Sequence, residues 1–266
     1  MEVLIRENAT EAAQLMARLI AHEIRAKPDI VLGLATGRTM EMVYEHLAWM
    51  HREQGLSFAR VHTFNLDEYI GLPADHPSSY RHYMDKHLFL KVDIKHENTH
   101  LPDGMAADLH AECASYERRI RELGGIALQL LGIGIDGHIG FNEPLSALQS
   151  RTRAKALTPS TLRQNVAMFD GDMTQMPRRA ITMGVGTILE SRRCVMLATG
   201  PTKAAIVAQA VEGPITAMVS ASALQLHPHC TVIVDEAAAD GLKGKDYYRW
   251  IFDNEPEWAE FRDDVK

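Results

Sequence analysis

The chain has 266 residues, enough to bury a sizeable core as one large α/β domain or two small ones. With 46% hydrophobic and 24% charged residues, its composition is that of an ordinary globular protein. A formal charge of -7 and a pI near 6.0 argue against a nucleic-acid partner, and no apolar run approaches the roughly 20 residues of a membrane span.

The amino terminus, MEVLIRENATEAAQLMARLI, alternates like a short strand and then turns helical. It lacks a basic segment followed by a continuous apolar core, so no signal peptide is expected. IVLGLATG (30–37) then leads into the helical pattern MEMVYEHLAWMHREQ, and ARVHTFNLDEY (59–69) precedes SSYRHYMDKHLF. The amphipathic segment AADLHAECASYERRIREL is followed by IALQLLGIG (126–134). Further on, RCVMLATG (193–200) leads into TKAAIVAQAVEG, and TVIVDE (231–236) follows VSASALQLH. The aromatic-rich carboxyl-terminal tail, DYYRWIFDNEPEWAEFRDDVK, is expected to pack rather than float. Cys113, Cys194 and Cys230 are odd in number and widely spaced, which fits reduced thiols and a cytoplasmic location.

Apolar runs separated by helices are how a parallel sheet reads. The pattern predicts an α/β fold: a single open, mostly parallel twisted sheet with helices on both faces, forming one domain over residues 1–266. Right-handed crossovers then gather the loops after the strands on one edge, where open α/β folds bind ligands.

Four loops on that edge carry chemistry. Ala35-Thr36-Gly37-Arg38-Thr39 opens a helix, where glycine lets the backbone approach a ligand and free N–H groups favour an anion. The alternative is a plain strand-to-helix turn with a threonine cap. The spacing is not that of a Walker A loop. LATGPTKAAIV (197–207) repeats the grammar, with Lys203 one turn into the following helix as a point charge for a phosphate. In FNLDEYIGLPADHPSSY (64–80), Asn65, Asp67 and Glu68 sit just past an apolar strand, and a carboxylate shielded there can have its pKa raised toward that of a general base.

The densest stretch is LGIGIDGHIGFNEP (131–144). Gly132, Gly134 and Gly137 spell a dinucleotide fingerprint, yet residues 138–144 open no helix, and Pro144 disfavours helical geometry at Glu143. One histidine with two acids also lacks the usual metal-ligand spacing. The spacing suits a carboxylate–imidazole relay instead: glycines at 134, 137 and 140 let the loop fold tightly enough to bring Asp136 and Glu143 against His138. Acid–base chemistry is the expectation.

GLATGRT (33–39), FNLDEYIGL (64–72), HPSSY (76–80), GIGIDGHIGFNEP (132–144), SRTR (150–153) and MGVGTIL (183–189) together resemble the glucosamine-6-phosphate deaminase family, within the broader group of sugar-phosphate isomerases and 6-phosphogluconolactonases. The resemblance runs over most of the chain and in order. It implies conversion of glucosamine 6-phosphate to fructose 6-phosphate with release of ammonia, without a metal or redox cofactor. It further implies that Asp67 moves a proton from C2 to C1 through an enediolamine-type intermediate and that His138 opens the pyranose ring, with Asp136 and Glu143 as partners. Thr36, Gly37, Arg38, Thr39 and Lys203 match phosphate-binding positions.

Two departures stand out. Where relatives carry a phosphate-gripping arginine this chain has Ala167, and Arg163, one helical turn upstream, or Arg38 is the candidate substitute. Some relatives are hexamers activated by N-acetylglucosamine 6-phosphate, and Ser146, Arg153 and Lys155 match polar positions of that effector site. Ala156 and Arg249 depart from it. A homo-oligomer is therefore implied. Three rivals stay open at this point: a galactosamine 6-phosphate deaminase, a 6-phosphogluconolactonase, and a non-catalytic sugar-phosphate sensor. The Asp67-Glu68-Tyr69 run and the complete Asp136/His138/Glu143 set favour the deaminase.

Overall fold

The computed structural model describes residues 1–262, so the end of the carboxyl-terminal tail, residues 263–266, lies outside the described residues. The strands are β1 (Glu2–Arg6), β2 (Val31–Leu34), β3 (His62–Asn65), β4 (Asp67–Tyr69), β5 (Thr99–His100), β6 (Leu128–Leu131), β7 (Arg153–Ala156), β8 (Arg179–Thr182), β9 (Arg193–Ala198) and β10 (Cys230–Asp235). The helices are α1 (Ala9–Ala26), α2 (Arg38–Gln54), α3 (Tyr80–His87), α4 (Leu109–Glu122), α5 (Pro159–Asn165), α6 (Val185–Leu189), α7 (Ala204–Glu212), α8 (Lys245–Asn254) and α9 (Ala259–Arg262).

Seven strands form one sheet in the order β1-β10-β9-β6-β2-β3-β5, and every neighbouring pair is parallel. Its inner strands are buried along their whole length, as in VLGL, LQLL and CTVIVD. That burial on both faces is why these runs are continuously apolar rather than alternating. From β2 the chain steps to β3 on one side, while β6 lies on the other side of β2. The loops leaving β2 and β6 therefore part, and a crevice opens at the carboxyl ends of the strands.

The expectation of a single sheet needs a correction, because a second, three-stranded antiparallel sheet runs β4-β8-β7. Residues 59–69 are not one strand. His62–Asn65 pair with β2, Asp67–Tyr69 pair with β8, and Leu66 joins the two sheets. Its N–H donates to Leu34 O at 3.0 Å, and its own carbonyl accepts from Met183 N at 2.6 Å. β7 reads Arg-Ala-Lys-Ala and has no apolar alternation to announce a strand.

The main core surrounds the parallel sheet, and a smaller apolar cluster of Tyr69, Leu72, Tyr80, Phe141, Leu157, Phe169, Met176 and Ala180 lies beside the second sheet. Buried Glu117 of α4 ties the approach to β7 into place, accepting from Thr152 N (2.8 Å), Thr152 Oγ1 (2.7 Å) and Thr187 Oγ1 (2.6 Å). The described part of the carboxyl-terminal tail packs on its own chain: Trp258 is fully buried and its Nε1 donates to Glu2 at 3.1 Å.

Candidate active site

A cavity of about 430 Å³ occupies the crevice at the switch in strand order. It is walled by the loops after β2, β6 and β9, by Asp67 of β4, and by the segment around Gln164–Met168.

The two adjacent acids of the Asp-Glu-Tyr strand part ways because successive strand residues point to opposite faces. Asp67 lines the cavity at 6% exposure. Glu68 turns away and binds the start of α3, where its carboxylate accepts from Tyr80 N (3.0 Å), Arg81 N (2.9 Å) and its neighbour Tyr69 N (2.8 Å). Burial pushes the Asp67 carboxyl up to about 8, Glu68 adds to the rise, and His138 opposes it. Raised this far, the group exchanges a proton near neutral pH, as a general base must.

His138 stands across the same cavity, 8% exposed. Its Nδ1 lies 2.6 Å from Asp136 Oδ1 and 3.5 Å from Glu143 Oε2. Burial alone would lower the imidazole pKa, but the two carboxylates outweigh it and raise it to about 9. Glu143 is fixed from behind by Thr158, whose N–H donates at 3.0 Å and whose hydroxyl lies 3.3 Å away. Burial pushes both Asp136 and Glu143 up, while their hydrogen bonds, with His138 first among them, leave each below its ordinary value. Two glycines make this packing possible. A Cβ on Gly134 would stand 2.3 Å from the His138 ring, and Gly140 has φ +55.

The threonine-cap account of the 35–39 loop does not hold. The residue capping α2 is Gly37, with φ 112 and no side-chain cap, so Thr36 and Thr39 are not spent on capping and both line the cavity. Backbone N–H groups in the first turn of α2 lack intrahelical acceptors and face an anion well. Lys203 reaches over from the β9 loop, its Nζ donating to Ile133 O at 2.6 Å. Burial lowers its pKa and the nearby Asp136 charge works against that. Arg38 is exposed at the rim. Arg163 is exposed on α5 and is not among the lining residues, whereas Ala167 is.

Thr202 and Tyr80 also line the cavity, although the sequence alone assigned them no role. Thr202 was detectable, since Ala-Thr-Gly-Pro-Thr repeats Ala-Thr-Gly-Arg-Thr around the glycine. Tyr80 was not, because its place depends on the second apolar cluster, where its ring stacks on Phe141 at 6.0 Å. Of the residues matched to an effector site, Arg153 and Ser146 touch each other, with Nη2 donating to Oγ at 3.1 Å. Lys155 lies on the same strand, half-buried.

Among the described residues, Asp136, His138 and Glu143 form the one His/carboxylate cluster tight enough to hold a metal. The donor set fits an ion poorly. Two ligands of one zinc ion, each about 2.0 Å from it, stand roughly 3.3 Å apart, and Nδ1 is closer than that to Asp136. It is arranged as an ion pair.

Paired acid–base groups and an anion-facing helix start at the carboxyl edge of a parallel sheet define a small-molecule-binding α/β protein equipped for proton transfer. The model of the glucosamine-6-phosphate isomerases/6-phosphogluconolactonase family matches residues 5–233. The chain is 50% identical over 258 residues to glucosamine-6-phosphate deaminase of Streptomyces coelicolor, covering 97% of this chain and 99% of the other. A solved structure described as a monomeric glucosamine-6-phosphate deaminase superposes with a TM-score of 0.88 at 43% identity, covering 91% of this chain and all of that one. The 6-phosphogluconolactonase of Trypanosoma cruzi shares the fold alone, with a TM-score of 0.72 at 20% identity, covering 91% of this chain and 97% of that one. The chain belongs to the glucosamine-6-phosphate isomerases/6-phosphogluconolactonase family.

Proposed function

We propose that this chain, working as one domain over residues 1–266, deaminates and isomerises glucosamine 6-phosphate, giving fructose 6-phosphate and ammonia. The observation that carries the reading is that Asp67 and His138 line one cavity together with the α2 start and Lys203. That cavity suits both a phosphate and proton traffic.

In this reading the phosphate is held by the Thr36–Thr39 loop, Arg38, Thr202 and Lys203. His138, kept cationic by Asp136 and Glu143, gives a proton to the ring oxygen while a base takes one from the anomeric hydroxyl, which frees the C1 aldehyde. Opening makes the C2 proton acidic. Asp67 then removes it, and the electron pair forms the C1–C2 double bond as the C1 carbonyl's π pair moves onto its oxygen. That oxygen takes back the proton it lost on ring opening, giving an enolamine. Return of the proton to C1 leaves an imine at C2, which water hydrolyses to the ketone and ammonia. Every step moves only protons and water, so the chemistry needs neither metal nor redox cofactor.

The same reading places the chain in the cytoplasm, consistent with the absence, among the described residues, of any helix long and apolar enough to cross a membrane. Sedimentation velocity decides assembly: a 29.7 kDa species means a monomer and a larger one the implied homo-oligomer. An effector at Ser146, Arg153 and Lys155 would compete with the contacts Arg153 already makes. A rate curve unchanged by N-acetylglucosamine 6-phosphate decides against such control.

Ammonia release from a panel of glucosamine 6-phosphate, galactosamine 6-phosphate and unphosphorylated glucosamine tests the whole proposal. Release from the first is expected. Release only from the second names the epimer instead, and binding with no release from any marks a sensor.

A further inference from the structure

Directly behind Glu143 the chain makes a turn that its sequence does not favour. Ser146 N donates to Glu143 O at 3.0 Å, closing a tight turn with Pro144 and Leu145 at its centre. Leu145 has φ 73, in the left-handed region where glycine belongs. The only other non-glycine residue with positive φ among the described residues is Asp170, a type that tolerates it. Packing does not hold Leu145 there, because its side chain is 77% exposed. What holds the turn is its backbone bond to Ala217 O at 2.8 Å and the residues on either side.

Those flanking residues are gripped by one side chain. Arg153 Nη1 donates to Asn142 Oδ1 at 2.9 Å and Nη2 to Ser146 Oγ at 3.1 Å, so the guanidinium spans Glu143 from both ends. Asn142 passes the restraint inward, its Nδ2 donating to Ile139 O (2.9 Å) and Met183 O (2.8 Å). Arg153 is half-buried and has no carboxylate at ion-pair distance among the described residues; its remaining contact is Arg151 O at 3.2 Å. A partly desolvated guanidinium without a counter-charge is retained where its planar fork of donors is used for geometry.

We propose that Arg153 is a positioning residue, an internal clamp that keeps the strained Leu145 turn formed and thereby holds Glu143 against His138. The proposal rests on the deaminase reading for its kinetic consequence and on hydrogen exchange for a readout that needs no substrate.

Arg153→Met is expected to lower kcat about tenfold with KM within about twofold, and to speed exchange of the Ser146 amide about tenfold. Adding Leu145→Gly, which makes the left-handed turn cheap, should bring both back to within about threefold of wild type. Unchanged kcat and exchange in Arg153→Met, or a loss that Leu145→Gly does not relieve, overturns the clamp. If Arg153→Met fails to fold, Ser146→Ala removes one arm alone. It should cost about threefold in kcat, again relieved by Leu145→Gly, and an unaltered rate overturns the proposal. A wild type without turnover on any aminosugar phosphate overturns the functional reading, whereas normal Ser146 exchange in Arg153→Met overturns the clamp.

Discussion

Asp67 and Glu68 are the same chemistry one residue apart, and strand geometry gives them opposite duties. Asp67 loses its water and no nearby cation fully compensates, so its proton stays on to about 8. As the proposed base it would work only when ionised, so kcat/KM should rise with pH as that carboxyl titrates. It should fall again above about 9, where the His138 proton is lost. A profile flat between about pH 6 and 9 would remove Asp67 as the base. Asp67→Asn, nearly isosteric, should lower kcat about 10³-fold with phosphosugar affinity little changed, as steady-state kinetics would show. Glu68→Ala should leave the chemistry in place and cost about 2 kcal/mol of stability through the lost α3 start, read by urea denaturation.

At the scale of elements, the 132–144 loop makes its site by close packing. The His138 ring lies where a Gly134 Cβ would go, so Gly134→Ala must displace the imidazole or the loop. A shift of about 1 Å there should lower kcat about 10²-fold, and a variant with normal turnover would show that the ring's place is unimportant. The two Ala-Thr-Gly-x-Thr loops line the same cavity, and the proposed function gives them the phosphate. Lys203→Met is therefore expected to raise KM for the phosphosugar about tenfold with a smaller effect on kcat. An unchanged KM would mean that the charge serves only its bond to Ile133 O.

For the whole molecule, the decisive feature is strand order. Placing β6 and β3 on opposite sides of β2 opens the crevice, and the hand-over at Leu66 carries Asp67 out of the parallel sheet to the wall facing His138. The α/β class, the parallel sheet and the loops that line the cavity were all readable in the chain, because doubly buried strands and glycine-bearing loops leave local signatures. The second sheet was not: β7 carries no apolar alternation, and β4 is only three residues long.

What the amino-acid order by itself determined was the inventory: which loops hold acids, histidine, threonines and lysine, and on which edge of the sheet they gather. Only the tertiary structure decided the rest. It sent Glu68 to a helix start and Asp67 to the cavity, left Arg163 outside the lining, and put Arg153 across the turn behind Glu143. The reason is physical. Local patterns encode what a segment prefers, whereas a side chain's direction, its loss of water and its partner come from segments far away in sequence.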